Sequence, residues 1–102
     1  KLFKIYQKRR ALLIACLEQE LPELQIQTSL GGSALWIKAP DSVDTEQLAL
    51  KAKQLGVIVE PGAIHFTQPN PPKNYLRMGF SAIGEGSIAD GVAALRRAYQ
   101  NL

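Results

Sequence analysis

Asn74-Tyr75-Leu76-Arg77-Met78-Gly79-Phe80-Ser81-Ala82-Ile83 is the stretch from which the rest of the chain is read. Alternation with period two puts Leu76, Met78 and Phe80 on one side of a strand and Tyr75, Arg77, Gly79 and Ser81 on the other. The first set is a core face. The second holds a permanently charged, planar guanidinium among otherwise small or polar side chains. On a rigid strand such a group suits two parallel hydrogen bonds to a carboxylate. On that reading Arg77 faces a carboxylate ligand in a site that this chain does not contain whole. The alternative is an ordinary edge-strand arginine that keeps a sheet soluble.

Upstream of this strand, Thr67 to Lys73 holds three prolines and reads as a surface loop. Before it, Val57-Ile58-Val59 reads as a third strand, with Pro61-Gly62 turning the chain out of it. The second helix has a clear start at Asp44, with Gln47 three residues on completing a capping box and Val43 able to staple onto Leu48. Leu48, Ala52 and Leu55 supply its buried stripe, and Gly56 takes the C′ position. Two further strands precede it. Leu24 to Thr28 turns Leu24 and Ile26 inward, and Ala34 to Lys38 separates Leu35 and Ile37 from Trp36 and Lys38. Gly31-Gly32 forms the turn between them, because paired glycines accept positive φ without steric cost.

At the N-terminal end, Phe3, Tyr6, Arg10, Leu13 and Leu17 repeat with helical spacing, widened by Leu2, Ile5, Leu12 and Ile14; Pro22 ends that helix. Downstream of the key strand, Gly84-Glu85-Gly86 breaks the chain before Ser87, an expected N-cap with Asp90 at N3. Ile88, Val92, Leu95 and Tyr99 then form the inner face of a last helix. The order α-β-β-α-β-β-α predicts an α+β fold. It is a two-layer α/β sandwich with helices on one face of a mostly antiparallel four-stranded sheet. Orienting every strand by its apolar set leaves Gln25, Gln27, Trp36, Lys38, Tyr75 and Arg77 on the opposite face. Two aromatics there suggest a docking face, although Trp36 could also pack under the stem of Lys38.

At 102 residues, with 46% apolar and 21% charged side chains, this is one folded domain rather than a disordered segment. The net charge is +3, and Lys1, Lys4, Lys8, Arg9 and Arg10 supply five positive charges ahead of the first acid, Glu18, leaving the remainder slightly acidic. Such a basic end is either the solvated side of a helix or a nucleic-acid contact. Cys16 is the single cysteine, which excludes an internal disulfide and fits a reducing, cytoplasmic compartment. No apolar run approaches membrane-spanning length and no signal or lipidation motif is present, so a soluble protein with no membrane partner is expected. The chain starts without Met in mid-helix character and is expected to be a piece of something longer.

No other candidate makes a self-contained active site. His65 lacks partnered acids and reads as a surface or loop residue. No Ser or Cys has an evident His and Asp partner. The glycines have neither dinucleotide-binding nor P-loop spacing. No metal site is expected.

Several motifs follow one another in a distinctive order. Tyr6 and Arg9-Arg10 precede Leu12-Leu13 on the first helix. Gly31-Gly32-x-x-Leu35-Trp36-x-x-x-Pro40 follows, then Gly56-Val57-x-x-x-Pro61-Gly62-x-x-x-Phe66. Asn74-x-Leu76-Arg77-Met78-Gly79-Phe80-Ser81 and an Ile88-x-x-Gly91 helix close the series. Over essentially the whole chain this resembles the C-terminal small domain of class I/II, fold-type I aminotransferases that use pyridoxal 5′-phosphate. Val59-Glu60-Pro61-Gly62 and Leu76 to Ile83 are similar to MocR-type regulators, which join a GntR-like winged-helix DNA-binding domain to an aminotransferase-like effector domain.

The resemblance implies that Arg77 salt-bridges the α-carboxylate of an amino-acid ligand, with Gly31, Gly32 and Tyr75 close by. It also implies that the Schiff-base lysine, the Asp on the pyridinium nitrogen and the phosphate cup belong to a large domain elsewhere in the parent. None of Lys1, Lys4, Lys8, Lys38, Lys51, Lys53 and Lys73 lies in a matching setting. The chain alone is therefore expected neither to hold the cofactor tightly nor to transaminate. The implied partners are that large domain, an amino acid, DNA through an N-terminal domain only, and a second copy of the parent in a homodimer. Three functions compete: the small domain of a regulator, the small domain of a true aminotransferase, and an unrelated binding module in which Trp36 is covered by its own fold.

Overall fold

A computed structural model of the chain describes residues 2–30, 34–79 and 87–102, with the backbone alone at 2, 3, 5, 6 and 28–30. The elements run α1 (Leu2–Glu20), β1 (Gln25–Leu30), β2 (Ala34–Lys38), α2 (Thr45–Gln54), β3 (Glu60–Pro61), a 3-10 turn (Ala63–His65), β4 (Tyr75–Gly79) and α3 (Ile88–Gln100). The strands lie in the order β1-β2-β4-β3, and every neighbouring pair is antiparallel. One core joins Leu13, Leu17 and Leu21 from the α1 end, Leu48 and Ala52 from α2, and Val92 and Leu95 from α3. Leu35, Ile37, Leu76 and Met78 meet them from the sheet. This is the expected α+β sandwich with its helices on one sheet face. The Gly31-Gly32 turn, the strand end from Phe80 to Ile83, the Gly84-Glu85-Gly86 break and the outer α1 stripe of Leu2, Phe3, Ile5 and Tyr6 lie outside the described residues or side chains. No helix among the described residues is long and apolar enough to cross a membrane.

Both ends of α2 follow from local chemistry. The Asp44 carboxylate accepts from the Glu46 N–H at 2.9 Å, satisfying one of the orphan donors of the first turn. Gln47 makes no reciprocal bond, so the capping box is only half made, and the first turn is also tied down from outside. Both the Thr45 N–H and its hydroxyl donate to the Lys73 carbonyl, at 2.9 and 3.0 Å. At the other end Gly56 has φ of +86°; its N–H donates to Lys53 and the Val57 N–H to Ala52. These are the paired bonds of a left-handed helix cap. Leu55 is the C-cap residue, already off the helical path, and its side chain is exposed rather than buried. The buried place expected of it goes instead to Thr45.

The third strand is shifted relative to the sequence reading. Val57 and Val59 are buried and Ile58 is exposed, as alternation requires, but ladder pairing is confined to Glu60–Pro61. The Val57 N–H is held by the α2 cap and cannot join a sheet. Ser87 stands at the N-cap of α3 without a side-chain bond to the helix, so the expected cap there is not made. In β1 the register slips between Ile26 and Thr28, leaving Gln27 as a bulge. Strict alternation therefore ends at Ile26.

Asn74 fixes where β4 begins. It is buried, its amide donates to the Ala39 carbonyl at 2.7 Å and to Asp41 Oδ1 at 3.4 Å, and its own carbonyl accepts from the Ala39 N–H at 2.7 Å. These bonds tie the segment after β2 to the segment before β4.

Candidate functional site

On β4, Leu76 and Met78 are fully buried under the helices, which turns Arg77 to the helix-free face. Arg77 stands in register with Trp36 of β2 on one side and Glu60 of β3 on the other. It is therefore not an edge-strand arginine at this position. Its Nη1 donates to Glu60 Oε2 at 2.8 Å, with the two side chains 32% and 52% exposed. Glu60 is the guanidinium's one partner among the described residues, and no other described acceptor takes up the rest of its donor fork.

Beside this pair lies an aromatic cluster. Trp36 and Tyr75 stack diagonally across β2 and β4, with centroids 5.3 Å apart and planes 18° from parallel. Phe66 meets Tyr75 at 5.3 Å and Trp36 at 5.8 Å, and His65 sets its ring edge-on to Trp36 at 5.8 Å. The segment from Gly62 to Phe66 thus roofs this part of the face. It is pinned by the Gly62 N–H donating to the Tyr75 carbonyl at 2.8 Å. Gly62 is buried, and a Cβ there would lie 2.5 Å from Trp36 Cη2 and 2.9 Å from Tyr75 Cβ. Only glycine lets the backbone approach the ring this closely.

The helix-free face is therefore divided. Its aromatic half is partly covered by the chain's own 62–66 segment, which leaves Trp36, Tyr75 and Phe66 each half-buried rather than open as a docking patch. Its charged half, Arg77 with Glu60, reaches solvent. The exposed large apolar side chains among the described residues include Leu50, Ile58 and Ile64, of which Leu50 and Ile58 line a groove of about 410 Å³ between α2 and β3. His65 is exposed, as read from the sequence. Gly31 and Gly32 lie outside the described residues. Glu60 and Phe66 stand in the sequence motifs without a role read for them there, and Gly62 only as part of a turn. Glu60 had a detectable signal: with Val57 and Val59 inward it had to point outward, the direction of Arg77.

No family model matches the chain. It is 37% identical over 95 residues to the HTH-type transcriptional regulator TauR of Rhodobacter capsulatus, covering 93% of this chain and 20% of that protein. It is 29% identical over 96 residues to aromatic-amino-acid aminotransferase 1 of Thermococcus litoralis, covering 93% and 23%. Among solved structures, the alpha-aminoadipate aminotransferase LysN of Thermus thermophilus, complexed with N-(5′-phosphopyridoxyl)-L-leucine, superposes with a TM-score of 0.82 at 25% identity, covering 96% of this chain and 25% of that one. The chain spans about a quarter or less of the length of these proteins. Fold and sequence together define the class: the chain belongs to the fold-type I, class I/II aminotransferase-like family and resembles the small C-terminal domain of its members. Within that class it has relatives of two sorts, helix-turn-helix regulators and aminotransferases.

Among the described residues, two features bear on where pyridoxal 5′-phosphate could sit. None of the described lysine side chains is buried, and the N-terminus of α2, where a phosphate would otherwise find free N–H groups, is taken by Asp44. No group of His, Cys, Asp and Glu among them has the spacing to hold a metal ion.

Proposed function

We propose that this chain is the small domain of an amino-acid-responsive effector in a MocR/GntR-type transcriptional regulator. In this reading residues 1–102 dock on a large aminotransferase-like domain of the same parent. That domain holds pyridoxal 5′-phosphate, and the small domain closes over an amino acid whose carboxylate Arg77 receives. Tyr75 lies beside the ligand, with Gly31 and Gly32 as the neighbouring turn. DNA is reached only through a separate N-terminal domain of a cytoplasmic, homodimeric parent. The observation that carries the reading is the placement of Arg77 on the helix-free face with its side chain a third exposed and already holding a carboxylate. The 37% identity to a helix-turn-helix regulator favours the regulator over the enzyme.

A second reading is favoured by the aminotransferases among the relatives: the parent is a true aminotransferase, and Arg77 orients the substrate carboxylate for chemistry on the large domain. The two readings part on one measurement. Turnover of an amino acid against a 2-oxo acid supports the enzyme. Amino-acid-dependent binding to an operator fragment without turnover supports the regulator.

The Arg77 assignment is common to both. Arg77→Ala in the full-length parent is expected to weaken binding of amino acids by about 2–5 kcal/mol, with little loss for the corresponding amines that lack the carboxylate. Calorimetric titration of each pair of ligands checks this. Equal losses for amino acid and amine would end the carboxylate assignment.

A further inference from the structure

Arg77 does not wait for a ligand with an empty guanidinium. Glu60 stands directly opposite it in the β3–β4 register and takes Nη1 at 2.8 Å. The backbone on either side of Glu60 is fixed. Val57 upstream is tied to the α2 cap, and Gly62 downstream donates to Tyr75. The carboxylate itself, half exposed, is the less confined partner, whereas the guanidinium lies between Trp36 and Glu60 in the sheet. A single bond between partly exposed charges is weak and yields readily to a competitor of the same chemistry.

We propose that Glu60 is a built-in competitor for the ligand carboxylate, a specificity-determining residue that sets how strongly an external carboxylate must bind Arg77. This rests on the reading that Arg77 receives a ligand carboxylate. An incoming carboxylate meets a guanidinium whose charge is already matched, and it must either displace Glu60 from Nη1 or share the fork beside a like charge. Either way Glu60 lowers carboxylate affinity. Monocarboxylates held by this contact alone bind several-fold more weakly, and ligands with further contacts to the parent are retained.

The test uses the full-length protein and acetate, a carboxylate without an amine to react with an aldehyde cofactor. Arg77 is labelled with phenylglyoxal and followed by peptide mass spectrometry while acetate is titrated at constant ionic strength. Glu60→Gln keeps the shape and an accepting oxygen but removes the charge; Glu60→Ala removes both. Thermal melts of each variant check folding. The expected result is faster labelling of Arg77 without acetate, and a protection midpoint lower by about three- to fivefold in at least one folded variant. A midpoint unchanged or raised in the folded variants, with acetate still protecting, overturns the competitor role and leaves the Arg77 reading standing. Absence of protection in wild type and variants alike overturns both.

Discussion

At the residue scale, Gly62 and Arg77 do different work on the same sheet face. Gly62 has an unstrained φ of −85°, so its requirement is for space rather than for backbone freedom. Its missing Cβ is what allows Trp36 and Tyr75 to lie against the 62–66 segment. Gly62→Ala is expected to lower the stability of the chain by about 1–3 kcal/mol, seen as a lower urea midpoint. The displaced Trp36 should also change its fluorescence in the native state. A variant with wild-type midpoint and emission would show that the roof moves aside at no cost. In the sequence, the Pro61-Gly62 pair was legible as a turn. Its contact with Trp36 was not, because the two residues are far apart in the chain and meet only through the pairing of β2 with β4.

At the element scale, the sheet is held together by side chains as much as by its ladders. Asn74 joins the end of β2 to the start of β4 and, through Asp41, reaches the loop that leads into α2. Lys73 beside it offers its carbonyl to both donors of Thr45, so one dipeptide anchors both β4 and α2. Asn74→Ala leaves the Ala39 carbonyl without its donor in a buried place. It is expected to cost about 1–3 kcal/mol, measurable as a shift in the unfolding midpoint with an unchanged denaturant slope. A loss within experimental error would mean that water replaces the amide there. The elements most accurately read from sequence are those closed by short-range chemistry: α2 between Asp44 and Gly56, and β4 by its alternation. Those read less well were decided from outside themselves. The α2 cap claims the Val57 N–H and ladder pairing in β3 starts only at Glu60, and β1 loses its alternation at the Gln27 bulge.

At the scale of the whole molecule, the three helices converge near Tyr99. This side chain of α3 lines one hollow with Leu21, Pro22 and Glu23 after α1 and another with Val43, Asp44 and Gln47 at the start of α2. Burial pushes its phenol above the usual tyrosine value of 10.0, and the Glu23 carboxylate adds to the shift. The sign follows from linkage. The folded state holds this proton more tightly than the unfolded chain does, so the contribution is fully present below about pH 10 and is lost as pH rises through the raised value. Between about pH 9.5 and about pH 11.5, the wild-type melting temperature should therefore fall further than that of Tyr99→Phe. Parallel curves for the two proteins would show that the phenol ionises equally in the folded and unfolded chains.

The sequence by itself determined the kind of fold, the inward face of each main strand and the direction in which Arg77 points. These follow from period-two and period-3.6 patterns, which are local properties of the chain. Its motif order also led to the aminotransferase-like class that the matched proteins bear out. Only the tertiary structure decided which residues meet on the far face of the sheet. The strand order β1-β2-β4-β3 brings Trp36, Arg77 and Glu60 into one row, and the 62–66 segment folds back over half of it. Side-chain pairing across strands depends on which strands are neighbours and in what register. That is fixed by the packing of the whole core rather than by any stretch of sequence.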